Sequence, residues 1–398
     1  KSSAPSPKSS APSPKSSARP LQLSSMRLLH LSSGKDFGGG ERHVLELTST
    51  LAARGHTLHL AVRPQSQLQE ALTQFPQLRV HSFGFRNALD LLTVKGLCRL
   101  ITDQQIEVIH AHYGRDYTLA ALAVRWLRRN GARLPAFFFT RHHYLPLSTN
   151  PAYRWLLSAA DGAIAVSRSV QTTVCQSLNW PVERVRVIPN WVDTIKFQPS
   201  RDQSHARRQF GLPPAARLIG VINQIAPEKG QAELIEAASR LTEQFPDLHL
   251  VLAGKEHGGD QFTHSLKEMA ARLGLTERVH WPGFVTDVPQ LLAALDVVAI
   301  PSWNEAFSLG ALEALAAGVP VVASQVGGLC DILTHNQTAL LVPPRNIEAL
   351  IQALQQLLES VELRNRLQKD GLERVHTFFS REAIVTQVEQ LYTETLRT

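Results

Sequence analysis

The chain has 398 residues, 43% of them hydrophobic and 19% charged, a globular composition that excludes a fibrous or disordered protein. No uninterrupted apolar run approaches the ~20 residues of a membrane span, and no secretory signal is read. The net charge of +7 is uneven: residues 26–195 carry 19 basic and 11 acidic side chains, whereas 196–398 carry 18 and 23.

A basic first half beside an acidic second half suits an anionic partner for the first, such as a membrane surface or a phosphorylated acceptor. Nucleic acid is not expected, because no binding module for it is present. Cys98, Cys175 and Cys330 are far apart and odd in number. They read as buried thiols of a reducing compartment, neither a disulfide frame nor a zinc site.

Residues 1–25 open on a seven-residue repeat of Lys, Ser, Ala and Pro that cannot build a core and reads as a disordered tail. From Met26 short apolar runs alternate with amphipathic stretches. Strands are predicted at 27–31, 58–62, 78–83, 107–111, 136–140, 163–166 and 185–189, with helices at 40–54, 65–74, 88–104, 116–129 and 167–178. Residues 190–214 break the pattern and read as a linker with a short helix. The alternation then restarts, with strands at 217–222, 249–254, 279–283, 297–301 and 321–323. The intervening helices are predicted at 229–243, 260–273, 286–294 and 308–317. Helices at 346–358, 360–375 and 380–396 close the chain. Strands separated by helices imply βαβ units and parallel sheets. The fold class is therefore α/β, with two doubly wound domains at 26–195 and 196–378, each with its ligand edge at the strand C-termini.

The chemistry concentrates in 301–323, PSWNEAFSLGALEALAAGVPVVA. Glu305 stands before the predicted helix and Glu313 inside its second turn, among alanines and leucines. A carboxylate is costly to bury there unless something hydrogen-bonds it. The free amides of Phe307, Ser308, Leu309 and Gly310 form an anion site at the helix start. Taken alone, a first-turn Glu is as readily a dipole partner. Lys229 lies just before a helix, against the dipole, which favours a ligand role as a point charge for a diphosphate. Gly254 ends a strand and is expected to line a nucleotide pocket. His142 follows a strand end, where it can bond a hydroxyl or handle a proton, although a surface or core role is equally open. His112 is expected to line the acceptor side, and His110 to be structural. Gly38-Gly39-Gly40 follows the first strand, but it does not make the G-x-G-x-x-G fingerprint of a dinucleotide site.

The Glu305–Glu313 pair resembles the E-x7-E signature of retaining glycosyltransferases of family 4, with the GT-B fold. Gly327-Gly328 and the LLVPP run at 340–344 match the same family, as do the Gly-Gly-x-Glu loop and LAARGH at 51–56. The resemblance spans roughly 26–396. It implies two Rossmann-like domains facing a cleft, the first for the acceptor and the second for the donor, with residues 379–398 forming a helix that crosses back to the first. It also implies site roles. Gly38, Gly39, Lys229 and the amides of Phe307–Gly310 would hold the diphosphate, Glu305 the sugar hydroxyls and Glu313 the ribose. His142 would contact the sugar near the reacting carbon. The segment 283–285, with Val285, would read the base, and Asn190 would lie at a hinge near the cleft. Gln224 stands where the family usually has Arg, which moves the stabilisation of the leaving group toward Lys229 and backbone amides.

The expected activity is a hexosyl-type transfer from a UDP- or GDP-linked sugar to a hydroxyl, with retention. It is placed in lipopolysaccharide, glycolipid or exopolysaccharide synthesis, on a lipid- or polysaccharide-linked acceptor, with no cofactor beyond the nucleotide-sugar co-substrate. No D-x-D pair occurs, so a metal-bridged diphosphate is not expected. The expected location is the cytoplasm, with peripheral attachment to the inner face of the membrane. Two alternatives stay open: another GT-B enzyme such as a nucleotide-sugar epimerase, and a non-catalytic membrane-associated protein of this fold.

Overall fold

A computed structural model describes residues 25–200, 202–256 and 259–397. The tail expected at 1–25 lies, apart from Ser25, outside the described residues.

Seven strands form the first sheet: β1 (Arg27–Ser32), β2 (Thr57–Val62), β3 (Arg79–Ser82), β4 (Val108–Ala111), β5 (Ala136–Arg141), β6 (Gly162–Ala165) and β7 (Val185–Val187). Their order is β3-β2-β1-β4-β5-β6-β7. Six strands form the second: β8 (Arg217–Ile222), β9 (Leu248–Ala253), β10 (Val279–Gly283), β11 (Val297–Ile300), β12 (Val321–Ser324) and β13 (Leu340–Val342), ordered β10-β9-β8-β11-β12-β13. Every strand pair is parallel. Helices cover the sheets, so β4, β6, β11 and β12 are buried along their whole length and are mostly apolar, with His110 in β4 and Ser324 in β12 the exceptions.

The strand order reverses between β1 and β4 in one sheet and between β8 and β11 in the other. Crevices open outside the strand C-termini at such reversals. The loops after β1, β4 and β5 and those after β8 and β11 supply the walls of a shared cleft.

Three elements were not read from the sequence. β13 is only three residues long and runs into Pro343. The helix Pro151–Leu157 is announced by Asn150, whose side chain accepts from the Ala152 amide, with Pro151 in the first turn. The third is the four-residue helix Leu329–Ile332.

The terminal helix Arg381–Arg397 packs on the first sheet. Ile384, Val385, Val388 and Tyr392 are buried in one core with Leu28, Leu47 and Leu60, a burial of about 2 kcal/mol for each side chain. Buried Glu389 accepts from Arg54 (2.8 Å) and meets His56 Nε2 (2.7 Å). The chain passes between the halves twice, side by side. The Val192 amide donates to the Phe379 carbonyl (3.0 Å), and Arg381 reaches Asp193 (2.7 Å).

Candidate functional site

A cavity of about 500 Å³ lies between the halves. The first half contributes Gly39. The second contributes Gln224, Lys229, Gly254, Val285, Glu305, Phe307, Ser308, Leu309 and Glu313 from six separate stretches of chain. A second cavity of about 350 Å³ adjoins it through Gly39, Phe307 and Leu309, and is lined by His43, His142, Asn190 and Trp191 among others. Nearly all the residues singled out in the sequence therefore face one of two connected spaces.

The helix Leu309–Ala316 begins at Ser308, whose hydroxyl accepts from the Ala311 amide (3.3 Å). Leu309 and Gly310 precede the first intrahelical bond and line the larger cavity.

Glu305 is held by several partners. Its Oε1 accepts from Lys229 Nζ (2.8 Å), Ser302 Oγ (2.9 Å) and Asn223 Nδ2 (3.3 Å). Its backbone is fixed by the glycine pair, since the Gly328 amide donates to the Glu305 carbonyl (2.9 Å). A Cβ on Gly327, at φ +44°, would stand 2.0 Å from that carbonyl oxygen. Gly254 is constrained likewise: at φ +155° a Cβ would meet the Asn223 carbonyl at 1.8 Å. These contacts explain why glycine is needed at 254 and 327, and how the loops after β8 and β11 come within reach of one ligand.

Glu313 lines the same cavity, and no described residue hydrogen-bonds its carboxylate. Burial pushes its pKa up to about 7, against the pull of Arg42 and Lys196. A hydroxyl-bearing ligand would supply the missing donors.

The smaller cavity has a floor of imidazoles. His43 stacks on Trp191 (4.4 Å between centroids) and lies edge-on to His142 (5.0 Å). Burial strips these rings of water and holds them neutral. The His142 pKa falls to about 4 and that of His30 to about 3, and His43, His110 and His112 lie well below the ordinary value. Asp116, at the foot of the neighbouring helix, is pushed up by burial to about 7 although it accepts from the Ser33 and Tyr113 amides (3.2 and 3.1 Å).

Two expectations need correction. His112 does not line the acceptor side: it is 2% exposed, one layer below His43 and His142, because β4 is a central strand. Gly38 is not on the wall of either cavity, and its amide donates to Glu41 Oε2 (3.0 Å) at the helix start, so it caps while Gly39 faces the cleft. Glu256, next to Gly254, accepts from the Phe262 and Thr263 amides and caps the helix that follows. His110 is structural, as expected, between Tyr392 (2.5 Å) and Thr140 (2.6 Å).

Sequence reasoning missed Asn223 and Ser302, which hold Glu305, and Arg42, His43 and Tyr113 around the smaller cavity. His43 carried a legible signal: it lies four residues after Gly39, and so on the same face of the first helix.

Residues 37–196 match the family described as Glycosyltransferase Family 4, and residues 202–374 match Glycosyl transferases group 1. A D-inositol 3-phosphate glycosyltransferase of Stackebrandtia nassauensis is 30% identical over 86% of this chain and 84% of its own. The chain belongs to the family 4 glycosyltransferases. The transferase is also 30% identical, over 53% of its length and 61% of the relative's, to the lipopolysaccharide core biosynthesis mannosyltransferase LpsB of Rhizobium meliloti. Among solved structures, a glycosyltransferase from Rickettsia africae superposes with a TM-score of 0.85, over 94% of this chain and all of that one, at 21% identity. Anabaena HepE in complex with UDP does so at 0.79, over 93% of this chain and all of that one, at 23% identity. These neighbours share the GT-B arrangement, two Rossmann-like domains about a cleft. Among the described residues no helix is long and apolar enough to cross a membrane.

Proposed function

We propose that this glycosyltransferase moves a hexosyl group from a UDP- or GDP-linked donor to a hydroxyl of a lipid- or polysaccharide-linked acceptor, with retention of anomeric configuration. The observation that carries the reading is the larger cavity. It joins a phosphate-seeking cation (Lys229), a helix start and two carboxylates, of which Glu305 is engaged at Oε1 and Glu313 lacks donors. In this reading the diphosphate takes Lys229 and the amides of Leu309 and Gly310, the ribose hydroxyls donate to Glu313, and the sugar hydroxyls donate to Glu305. His142 meets the sugar from the smaller cavity, which receives the acceptor. The acceptor oxygen bonds to the anomeric carbon on the face that the diphosphate leaves. The bond from that carbon to phosphate oxygen breaks with its electron pair on the diphosphate, which accepts the acceptor's proton.

The UDP-bound neighbour supports a uridine donor first, and LpsB supports a glycolipid acceptor. An amphiphilic acceptor also fits the first half's surface. Leu89, Leu91 and Leu92 are 69%, 68% and 71% exposed, beside exposed Arg86, Lys95 and Arg99. That edge suits the anionic inner face of a membrane, and a cytoplasmic peripheral location.

The test is thermal stability against UDP, GDP and ADP, with Glu313→Ala as control. A nucleotide at ~100 times its Kd adds about 2.7 kcal/mol. A shift with one nucleotide that the variant loses is expected. Unchanged donor kinetics in both Glu305→Ala and Glu313→Ala would overturn the assignment.

A further inference from the structure

The imidazoles under the smaller cavity come from three elements that the topology brings together. His43 is on the helix Gly39–Ala53, His112 follows β4, and His142 follows the adjacent β5. One ring nitrogen from each lies within 4.8 Å of the other two. Two nitrogens of this trio, His112 Nδ1 and His142 Nε2, are buried and have no hydrogen-bond partner. Buried polar atoms are ordinarily satisfied, and two orphans in one cluster call for an explanation. The rings are also oriented from outside. His112 Nε2 lies 3.0 Å from His30 Nδ1, which leaves Nδ1 turned to the trio. His43 is stacked on Trp191. Metal-ligating imidazoles are held as His112 is, by a bond at the second ring nitrogen.

We propose that His43, His112 and His142 form a three-imidazole site for a zinc-class divalent ion, with its open coordination position turned to the smaller cavity. Nitrogens at the corners of a triangle with 4.8 Å edges stand about 2.8 Å from its centre, and ring rotations of less than about 1 Å bring them to the zinc–nitrogen distance of about 2.0–2.1 Å. The ligand set selects the ion: imidazole nitrogens suit zinc, copper or nickel and not magnesium or calcium. Three protein ligands leave a fourth position, which a hydroxyl or phosphoryl oxygen from the cavity would fill. A second trio, His30, His110 and His112, is less suited, because Tyr392 and Thr140 engage both nitrogens of His110. The site lies in the first half, apart from Lys229 and Glu305, and shares only His142 with the donor reading.

The test uses the full chain, stripped of metal with a chelator and titrated with Co²⁺ as a spectroscopic probe and with Zn²⁺ by calorimetry. The expected result is one equivalent of Co²⁺ with a four-coordinate spectrum, displaced by one equivalent of Zn²⁺. Affinity should fall about 100-fold in His43→Ala and in His142→Ala. His264→Ala removes the exposed pair His264–Glu268 (3.3 Å), an adventitious surface chelate, and should leave binding unchanged. His43 and His142 are the partly buried members and decide the matter if the buried His112→Ala does not fold. Failure to bind one equivalent, or binding that survives His43→Ala and disappears in His264→Ala, would overturn the site.

Discussion

Glu313 offers the sharpest test of the reading, because one substitution should move stability and binding in opposite directions. Its pKa is raised from 4.5 to about 7 by burial. A raised carboxyl pKa means that folding disfavours the charged form. The penalty is absent below about pH 4.5, where both states hold the proton, grows between 4.5 and 7, and is full above 7. A shift of that size corresponds to about 3 kcal/mol. Glu313→Gln keeps the shape and removes the charge, so at pH 8 it should be more stable than the parent by up to that amount. At about 2–4 °C per kcal/mol for a domain of this size, the gain is several degrees in Tm. At pH 5 the advantage should have nearly vanished.

A nucleotide whose ribose hydroxyls donate to Glu313 stabilises the charged form and returns its pKa toward the ordinary range. Binding near pH 6 should therefore release a proton, and nucleotide affinity should rise as pH passes through 7. Calorimetry in two buffers of different ionisation heat reads the proton directly. In Glu313→Gln both the proton release and most of the affinity should be lost, although the protein melts higher. A variant no more stable than the parent at pH 8, or one whose advantage persists unchanged at pH 5, would refute the electrostatic argument. Full nucleotide affinity in the more stable variant would refute the ribose assignment alone.

Three further outcomes are expected. Gly327→Ala drives a Cβ against the Glu305 carbonyl at 2.0 Å; a displacement near 1 Å of a positioning group lowers kcat about 100-fold, and steady-state kinetics with the accepted donor would show it without loss of fold by circular dichroism. Gln224→Arg places a guanidinium in the larger cavity and should tighten donor binding about tenfold, an effect that weakens with salt. Glu389→Ala leaves His56 Nε2 without its partner and removes the carboxylate from Arg54, which keeps Thr386 and the Glu382 carbonyl; it should cost about 1–3 kcal/mol and loosen the helix Arg381–Arg397, read as faster amide exchange over that segment.

Periodicity was enough to read most of the architecture, because buried parallel strands are mostly apolar along their length. The runs at 107–111 and 297–301 were visible for that reason, whereas β13 was too short to stand out before its prolines. The wall of the larger cavity was legible because its residues occur in compact motifs next to strand ends: Lys229 before its helix, and Glu305 and Glu313 about theirs. Asn223 and Ser302 were not legible. Asn223 reaches Glu305 from another loop and Ser302 from within the same loop after β11, and neither belongs to a motif that a linear pattern reports. His112 was misjudged for a related reason. The end of a strand predicts a place at the cleft, but depth below the surface depends on which neighbours cover it, and His43 and His142 come from other elements.

The Lys229–Glu305 pair shows how the two carboxylates come to differ. Glu305 precedes the helix Leu309–Ala316 and is hydrogen-bonded by a cation, a hydroxyl and an amide, so its charge is compensated within the protein. Glu313, inside that helix, has no such hydrogen bonds among the described residues, and burial raises it against the weaker pull of Arg42 and Lys196. A largely buried ion pair is costly to desolvate and gains little net stability, so its retention points to a use beyond holding the fold. In the proposed reading, a diphosphate arriving at Lys229 would weaken that cation's hold on Glu305 and leave the carboxylate freer for sugar hydroxyls, so that the two ends of a nucleotide-sugar would be coupled. Free nucleotide should accordingly raise the affinity for the separate sugar, and Lys229→Met should abolish that cooperativity while leaving the ribose contact at Glu313 in place.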